Sequence, residues 1–138
     1  MPFEYKTKVQ LHDTDAAGLL FFGHQFRIVH DAYQAFLESG GLAFGDILDR
    51  GEILIPIVHA SADYLKPLAV GDRLTVELVA SKISTHSFVL NYRLLDTDRE
   101  LVGTVETVHV TIDRASRKKT RLTEQLRQVL QDILVSPD

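Results

Sequence analysis

The chain has 138 residues, 45% of them hydrophobic and 25% charged, which is the make-up of one globular domain of ordinary size. Its formal net charge of -4 argues against a nucleic-acid-binding protein, and its lack of cysteine excludes disulfide staples and fits a reducing compartment. No apolar run approaches the roughly 18 residues of a membrane span, and Met1-Pro2-Phe3-Glu4-Tyr5-Lys6 opens no apolar signal core, so the expectation is a single domain over 1–138 in the cytoplasm.

Residues 3 to 11 alternate, with Phe3, Tyr5, Thr7, Val9 and Leu11 on one side and Glu4, Lys6, Lys8 and Gln10 on the other, which predicts a half-buried strand. His12-Asp13-Thr14-Asp15-Ala16-Ala17-Gly18 breaks the pattern as a polar loop. From Gly23 to Ser39 the period becomes helical: Phe26, Val29, Tyr33 and Phe36 share a face, Arg27, Asp31, Gln34 and Glu38 lie opposite, and Gly40-Gly41 ends the helix. A short helical turn is expected over residues 44 to 50.

Strands follow over Ile57 to Leu65, Arg73 to Ser81, the stretch marked by Phe88, Leu90, Tyr92 and Leu94, and one long segment from Leu101 to Asp113. A basic turn then leads to a C-terminal helix from Thr123, with Leu126, Val129, Leu130 and Ile133 on one face. One strand, a long helix and four more strands predict the α+β class, a long helix wrapped by a curved, largely antiparallel five-stranded sheet.

The run Asp13-Thr14-Asp15-Ala16-Ala17-Gly18-Leu19-Leu20-Phe21-Phe22-Gly23-His24 resembles the D-x-D-x-x-G signature of the 4-hydroxybenzoyl-CoA thioesterase family. The resemblance extends through Pro56 to Ser61, the Gly71-Asp72-Arg73-Leu74 turn and the His109 strand. Within that family the chain is most similar to the 1,4-dihydroxy-2-naphthoyl-CoA thioesterases of quinone synthesis, through Leu11, Val58-His59-Ala60-Ser61 and Arg117-Lys118-Lys119. The resemblance implies a hotdog fold, dimers paired into a homotetramer, active sites at subunit interfaces, an acyl-CoA as substrate with no separate cofactor, and Asp15 as the catalytic carboxylate.

A thioester is already activated, so the enzyme must supply a nucleophile and stabilise an oxyanion. A solvated aspartate, with an ordinary pKa of about 3.9, is ionised at neutral pH and can attack the thioester carbon or act as general base on water. The backbone amides of Phe22 and Gly23, where loop becomes helix, are the expected oxyanion donors, since free amides and the helix dipole favour an anion there. Gly18 is expected to allow close approach of substrate. Asp13 reads as a turn or capping residue.

Among the six histidines, His24 near the helix start and His59, which shares a strand face with Ser61 and Asp63, are the candidates for substrate contact together with Ser61. Relatives carrying a catalytic histidine have it at the position of Phe22, so a histidine-assisted mechanism is not expected. No H-E-x-x-H and no cysteine pair predicts a metal, and no G-x-S-x-G predicts a serine hydrolase. Arg117, Lys118 and Lys119, within a run that also holds Arg114 and Arg121, are the expected binders of the coenzyme A phosphates. The hydroxybenzoyl-CoA enzymes instead carry basic residues at the turn matching Ser84-Thr85-His86, nearly neutral here, which implies that phosphate binding has moved. Two other readings compete with an aryl-CoA thioesterase: a broad short-chain acyl-CoA thioesterase, and a non-catalytic acyl-CoA-binding module, against which the placement of Asp15 argues.

Overall fold

The computed structural model describes residues 1–43 and 51–135. Its elements run β1 (Phe3–Lys8), a 3-10 turn (Leu11–Asp13), α1 (His24–Ser39), β2 (Ile53–Leu54), β3 (Ile57–Tyr64), β4 (Arg73–Ile83), β5 (Ser87–Leu95), β6 (Leu101–Val110), β7 (Ile112–Asp113) and α2 (Glu124–Gln131). The helical turn expected over 44 to 50 lies outside the described residues.

Alternation in the sequence becomes a one-sided sheet. Its five strands are ordered β1-β4-β5-β6-β3, every neighbouring pair antiparallel. Leu74, Val76, Leu78 and Ala80 of β4 and Phe88, Leu90, Tyr92 and Leu94 of β5 are buried, and so are Ile28, Val29, Ala32, Tyr33, Phe36 and Leu37 of α1. Each such valine, leucine, isoleucine or phenylalanine contributes on the order of 1.5–3 kcal/mol by leaving water, which is why the sheet closes around the helix. Bulges between Ala80 and Lys82 and between Ile57 and His59 add local bend and twist. The expected α+β arrangement of a five-stranded sheet around a long helix is the one found.

Three details differ from expectation. Phe26 is only partly buried, and Gln25 occupies a buried position at that end of the helix instead. The first strand stops at Lys8, and Leu11 is exposed. The segment from Leu101 to Asp113 is not one strand: the Thr111 amide donates to His86 O at 2.9 Å and its hydroxyl to Thr120 O at 2.6 Å. Those bonds end β6 at Val110 and turn β7 away to pair with β2.

Helix α2 begins where Thr123 accepts the Leu126 amide, an N-cap, and lays Leu126, Val129 and Leu130 on the core. The chain beyond it bonds to Ala80, whose amide donates to Ile133 O and whose carbonyl accepts from Val135 N. Gly40 permits this packing, since a Cβ there would stand 2.5 Å from Val129 Cγ1.

His109 of β6 is fully buried, stacked on Phe88 at 4.7 Å, with Nε2 at 2.8 Å from the Thr107 hydroxyl and Nδ1 without a partner among the described residues. Burial, with the nearby His30 adding to it, pushes its pKa down to about 3, so the imidazole is neutral in the folded core.

Strand β3 is an edge of the five-stranded sheet. One side pairs with β6 and the other pairs with no described strand. All its residues are exposed except the half-buried Ala62, including the branched apolar side chains of Ile57 and Val58.

Candidate active site

The loop between β1 and α1 holds two carboxylates with opposite environments. Asp13 is fully buried. Arg27 reaches back from the first turns of α1 and donates from Nε to Oδ1 and from Nη2 to Oδ2, both at 2.7 Å, while the Gln10 amide donates to Oδ2 at 2.9 Å. A planar guanidinium on a carboxylate is a strong, directional contact, so Asp13 anchors the loop to the helix. Its own carbonyl accepts the Phe21 amide at 2.9 Å, closing the loop on the far side.

Asp15, two residues on, is exposed. Its Oδ1 accepts the amides of Ala17 at 2.8 Å and Leu19 at 3.4 Å, which sets the carboxylate in an Asx turn. Oδ2 has no hydrogen-bond partner among the described residues. The Gly18 amide donates to Asp15 O at 3.0 Å, and Gly18 takes φ +78°, a left-handed conformation that needs glycine. Gly18 therefore serves the turn directly. Thr14 pairs with Leu20 and Leu19 with Ala69, so the loop is strapped to the segment before β4.

Loop closure brings the start of α1 to the same end of the molecule. Phe21 O accepts the His24 amide at 2.9 Å, and Phe22 O accepts the Tyr64 hydroxyl at 2.8 Å. The amides of Phe22 and Gly23 themselves have no acceptor among the described residues. These two free donors at a helix N-terminus are the pair expected from the sequence, and they can take an oxyanion.

Beside them lies a cleft of about 250 Å³ whose walls include Leu20, Phe22, Gln25, Tyr64, Leu65 and Leu68. Its lining is mainly apolar, suited to a flat organic group. Asp15 stands on the loop leading into this cleft and is not itself part of its wall. Gln25 and Tyr64 were not singled out in the sequence. Gln25 is buried, with Nε2 donating to Asp63 O at 3.1 Å and Thr104 O at 3.2 Å, and thus fastens the first turn of α1 to β3 and β6. Burial raises the Tyr64 hydroxyl pKa above its ordinary value, so it remains a donor.

The other candidates are placed elsewhere. His24 turns toward the anchor: its Nδ1 is buried 4.0 Å from Asp13 Oδ1, and its ring meets the edge of Phe21 at 5.4 Å. His59 and Ser61 are not brought to the cleft within one chain. Ala60 and Ala62 pair with the buried Thr107 and Val105, so His59, Ser61 and Asp63 stand on the sheet face opposite α1, where Asp63 accepts the Thr104 hydroxyl at 3.3 Å.

Arg117, Lys118 and Lys119 sit on an exposed hairpin after β7. Asp113 organises it, its carboxylate accepting the Ser116 amide at 2.7 Å and its carbonyl the Arg117 amide at 2.8 Å. Hydrogen bonds from the Ser116 amide and hydroxyl, with the Ala115 amide adding to them, hold the Asp113 carboxyl below its ordinary pKa. This hairpin follows the far end of β6, whereas the cleft adjoins its start, where Val102 O accepts the Leu65 and Lys66 amides. Eight residues of strand at about 3.3 Å each separate the two by roughly 25 Å. Nearer the hairpin, Arg121 and Arg127 line a second cleft with Ser84 and Thr85, and Arg127 Nη2 donates to Ser84 O at 2.9 Å. Folding thus supplies two guanidinium groups to a turn that is nearly neutral in sequence.

Among the described residues there is no cluster of three or more histidines or carboxylates that could hold a metal, and no helix long and apolar enough to cross a membrane.

Comparison with known proteins gives the family and bears out the fold. Residues 9–130 match the family model described as the thioesterase-like superfamily. A 1,4-dihydroxy-2-naphthoyl-CoA hydrolase of Nostoc punctiforme is 37% identical over 131 residues, covering 95% of this chain and 88% of its own. One from Synechococcus elongatus is 35% identical over 130 residues, covering 94% and 95%. The crystal structure of a 1,4-dihydroxy-2-naphthoyl-CoA thioesterase from Synechocystis superimposes with a TM-score of 0.90 at 34% identity, covering 96% of this chain and 98% of the other.

Proposed function

The chain belongs to the thioesterase-like superfamily, and from that premise we propose that it hydrolyses an aryl-CoA thioester, of the 1,4-dihydroxy-2-naphthoyl or hydroxybenzoyl type, to the free acid and coenzyme A. One observation carries the assignment of the site: a loop carboxylate, Asp15, has one oxygen fixed by two amides and the other without a partner among the described residues, on the loop that leads to two amides at the start of α1 that have no acceptor among those residues. In this reading the thioester carbonyl points its oxygen at the Phe22 and Gly23 amides, which strengthen their hydrogen bonds as charge develops on it. One such donor can be worth about 3 kcal/mol in the transition state. Asp15 Oδ2 either attacks the carbonyl carbon and expels the coenzyme A thiolate, giving a mixed anhydride that water then cleaves, or takes a proton from a water that attacks the same carbon and expels the same thiolate. Single turnover in ¹⁸O-labelled water separates the two, because only the anhydride route can leave label in Asp15 itself.

The roughly 25 Å between cleft and basic hairpin supports a site shared between subunits. Antiparallel pairing of β3 with β3 of a second copy, about a two-fold axis near Ala60 and Ser61, places the partner's Ile57 beside Tyr64. The partner's basic hairpin then lies at this chain's cleft, where its Arg117, Lys118 and Lys119 hold the phosphates of coenzyme A by charge-assisted hydrogen bonds. Pairing side by side leaves His59 and Ser61 on their own sheet face, so they meet substrate only if a second dimer packs there to form the tetramer. Gly18 shapes the loop and His24 packs toward the Asp13 anchor, so both support the site without lining the cleft. Coenzyme A is part of the substrate, no separate cofactor is required, and a cytoplasmic location follows from that substrate.

The test is free-thiol release from dihydroxynaphthoyl, hydroxybenzoyl, short aliphatic and long aliphatic CoA thioesters. Wild type is expected to prefer an aryl member, and Asp15→Asn to lose at least about a hundredfold in turnover, roughly 2.7 kcal/mol of barrier. Full activity of Asp15→Asn removes it from the chemistry. Binding of every member with turnover of none makes the protein an acyl-CoA-binding module.

A further inference from the structure

We propose, resting on the hydrolase reading above, that Tyr64 is a positioning residue that aims and polarises the Gly23 oxyanion donor through the Phe22–Gly23 peptide. The Tyr64 hydroxyl donates to Phe22 O at 2.8 Å across 42 residues of sequence. Phe22 O and the Gly23 N–H belong to one planar unit and point in opposite directions. Fixing the carbonyl therefore fixes the line along which the N–H points. A hydrogen bond accepted by the carbonyl also draws electron density toward oxygen and makes the N–H at the other end a stronger donor.

The neighbouring bonds show why a side chain is needed. The preceding peptide is held by backbone alone, since Phe21 O accepts the His24 amide at 2.9 Å. Among the described residues Phe22 O has only the Gln25 amide at 3.4 Å as a backbone partner, which is long for such a bond. Tyr64 supplies the shorter contact. It can do so because the end of β3 is clamped to the same helical turn by Gln25, whose Nε2 donates to Asp63 O, the residue before Tyr64. The Tyr64 ring also meets Phe22 edge-on, with centroids 6.5 Å apart, so Tyr64→Phe keeps the aromatic packing and removes only the donor.

Three readouts test this on the full-length protein. In Tyr64→Phe the Gly23 amide proton, followed by NMR of labelled protein without substrate, is expected to move upfield, while the melting temperature stays within about 2 °C. On the best aryl-CoA substrate, kcat is expected to fall about five- to tenfold, a fraction of the hundredfold or more that a whole oxyanion donor supplies, with KM within about twofold. An unmoved Gly23 amide, an unchanged kcat, or a loss confined to KM each overturns the proposal; the last makes Tyr64 a substrate contact. If wild type hydrolyses no CoA thioester, the hydrolase reading fails by itself, and the Gly23 amide shift still decides whether Tyr64 polarises that peptide.

Discussion

Gly103 leaves the space that the Gln25 carboxamide fills: a Cβ on Gly103 would stand 2.8 Å from Gln25 Oε1 and 2.9 Å from Nε2. A glycine on β6 is thus matched to a buried glutamine on α1, and the match holds the N-terminal turn of the helix against the sheet. Gly103→Ala is expected to expel the carboxamide, break its bonds to Asp63 O and Thr104 O, and lower stability by about 1–3 kcal/mol. Urea unfolding measures the loss. Turnover should fall as well, because the amides of Phe22 and Gly23 ride on that turn.

Asp13 and Arg27 form the loop's anchor. Removing Arg27 leaves a buried carboxylate with one backbone donor, Gln10, at its side chain. Arg27→Met is therefore expected to cost about 3 kcal/mol or more in urea unfolding. Asp13→Asn, which keeps the shape and removes the charge, should cost less. Equal costs for the two would show that packing rather than charge holds the loop.

His109 makes stability depend on pH. Its pKa is about 3 in the folded core and 6.5 as the ordinary value. Below pH 6.5 the unfolded chain takes up a proton that the folded chain refuses. The stability it contributes is therefore complete above 6.5 and is lost as pH falls toward 3, at about 1.4 kcal/mol per pH unit. Urea midpoints at pH 7 and pH 5 should differ more for wild type than for His109→Gln. An identical difference would place the acid sensitivity in the carboxylates.

The basic hairpin is expected to act on binding and across the subunit boundary. Replacing Arg117, Lys118 and Lys119 together by serine should raise KM at least about tenfold with little change in kcat, and the effect should shrink in high salt. Mixed dimers of that variant with Asp15→Asn provide the sharper measurement. If the hairpin serves the other subunit, one site in each mixed dimer receives both defects and the other receives neither, so activity recovers. If each chain serves itself, every site is defective and activity stays low.

Most of the fold was legible because half-burial writes itself as alternation. Leu74, Val76, Leu78 and Ala80 in β4 are buried at every second position, which is the pattern read from the sequence. Strand β3 gave a weaker signal because, as an edge, it buries almost nothing in one chain. The break at Thr111 was hidden, since its two hydrogen bonds reach residues 25 and 9 positions away. For the candidate site, the resemblance of the run from Asp13 to His24 is what singled out Asp15, Gly18, Phe22 and Gly23 and set Asp15 apart from Asp13, since both aspartates otherwise read as turn and capping residues. Gln25 and Tyr64 could not be read in that way. A glutamine on an amphipathic helix looks like solvent-facing polarity, and only Gly103, 78 positions later, makes room for it.

The loop's frame is built almost wholly from the main chain and the two aspartates, whereas Leu19, Phe21 and Phe22 leave their side chains exposed around it. What holds the loop's shape is thereby separated from the side chains it presents. On the proposed hydrolase reading, Phe22, which lines the cleft, can be varied to remodel the choice of acid released without redrawing the main-chain frame that holds Asp15, which makes this short loop a natural starting point for evolving new specificities.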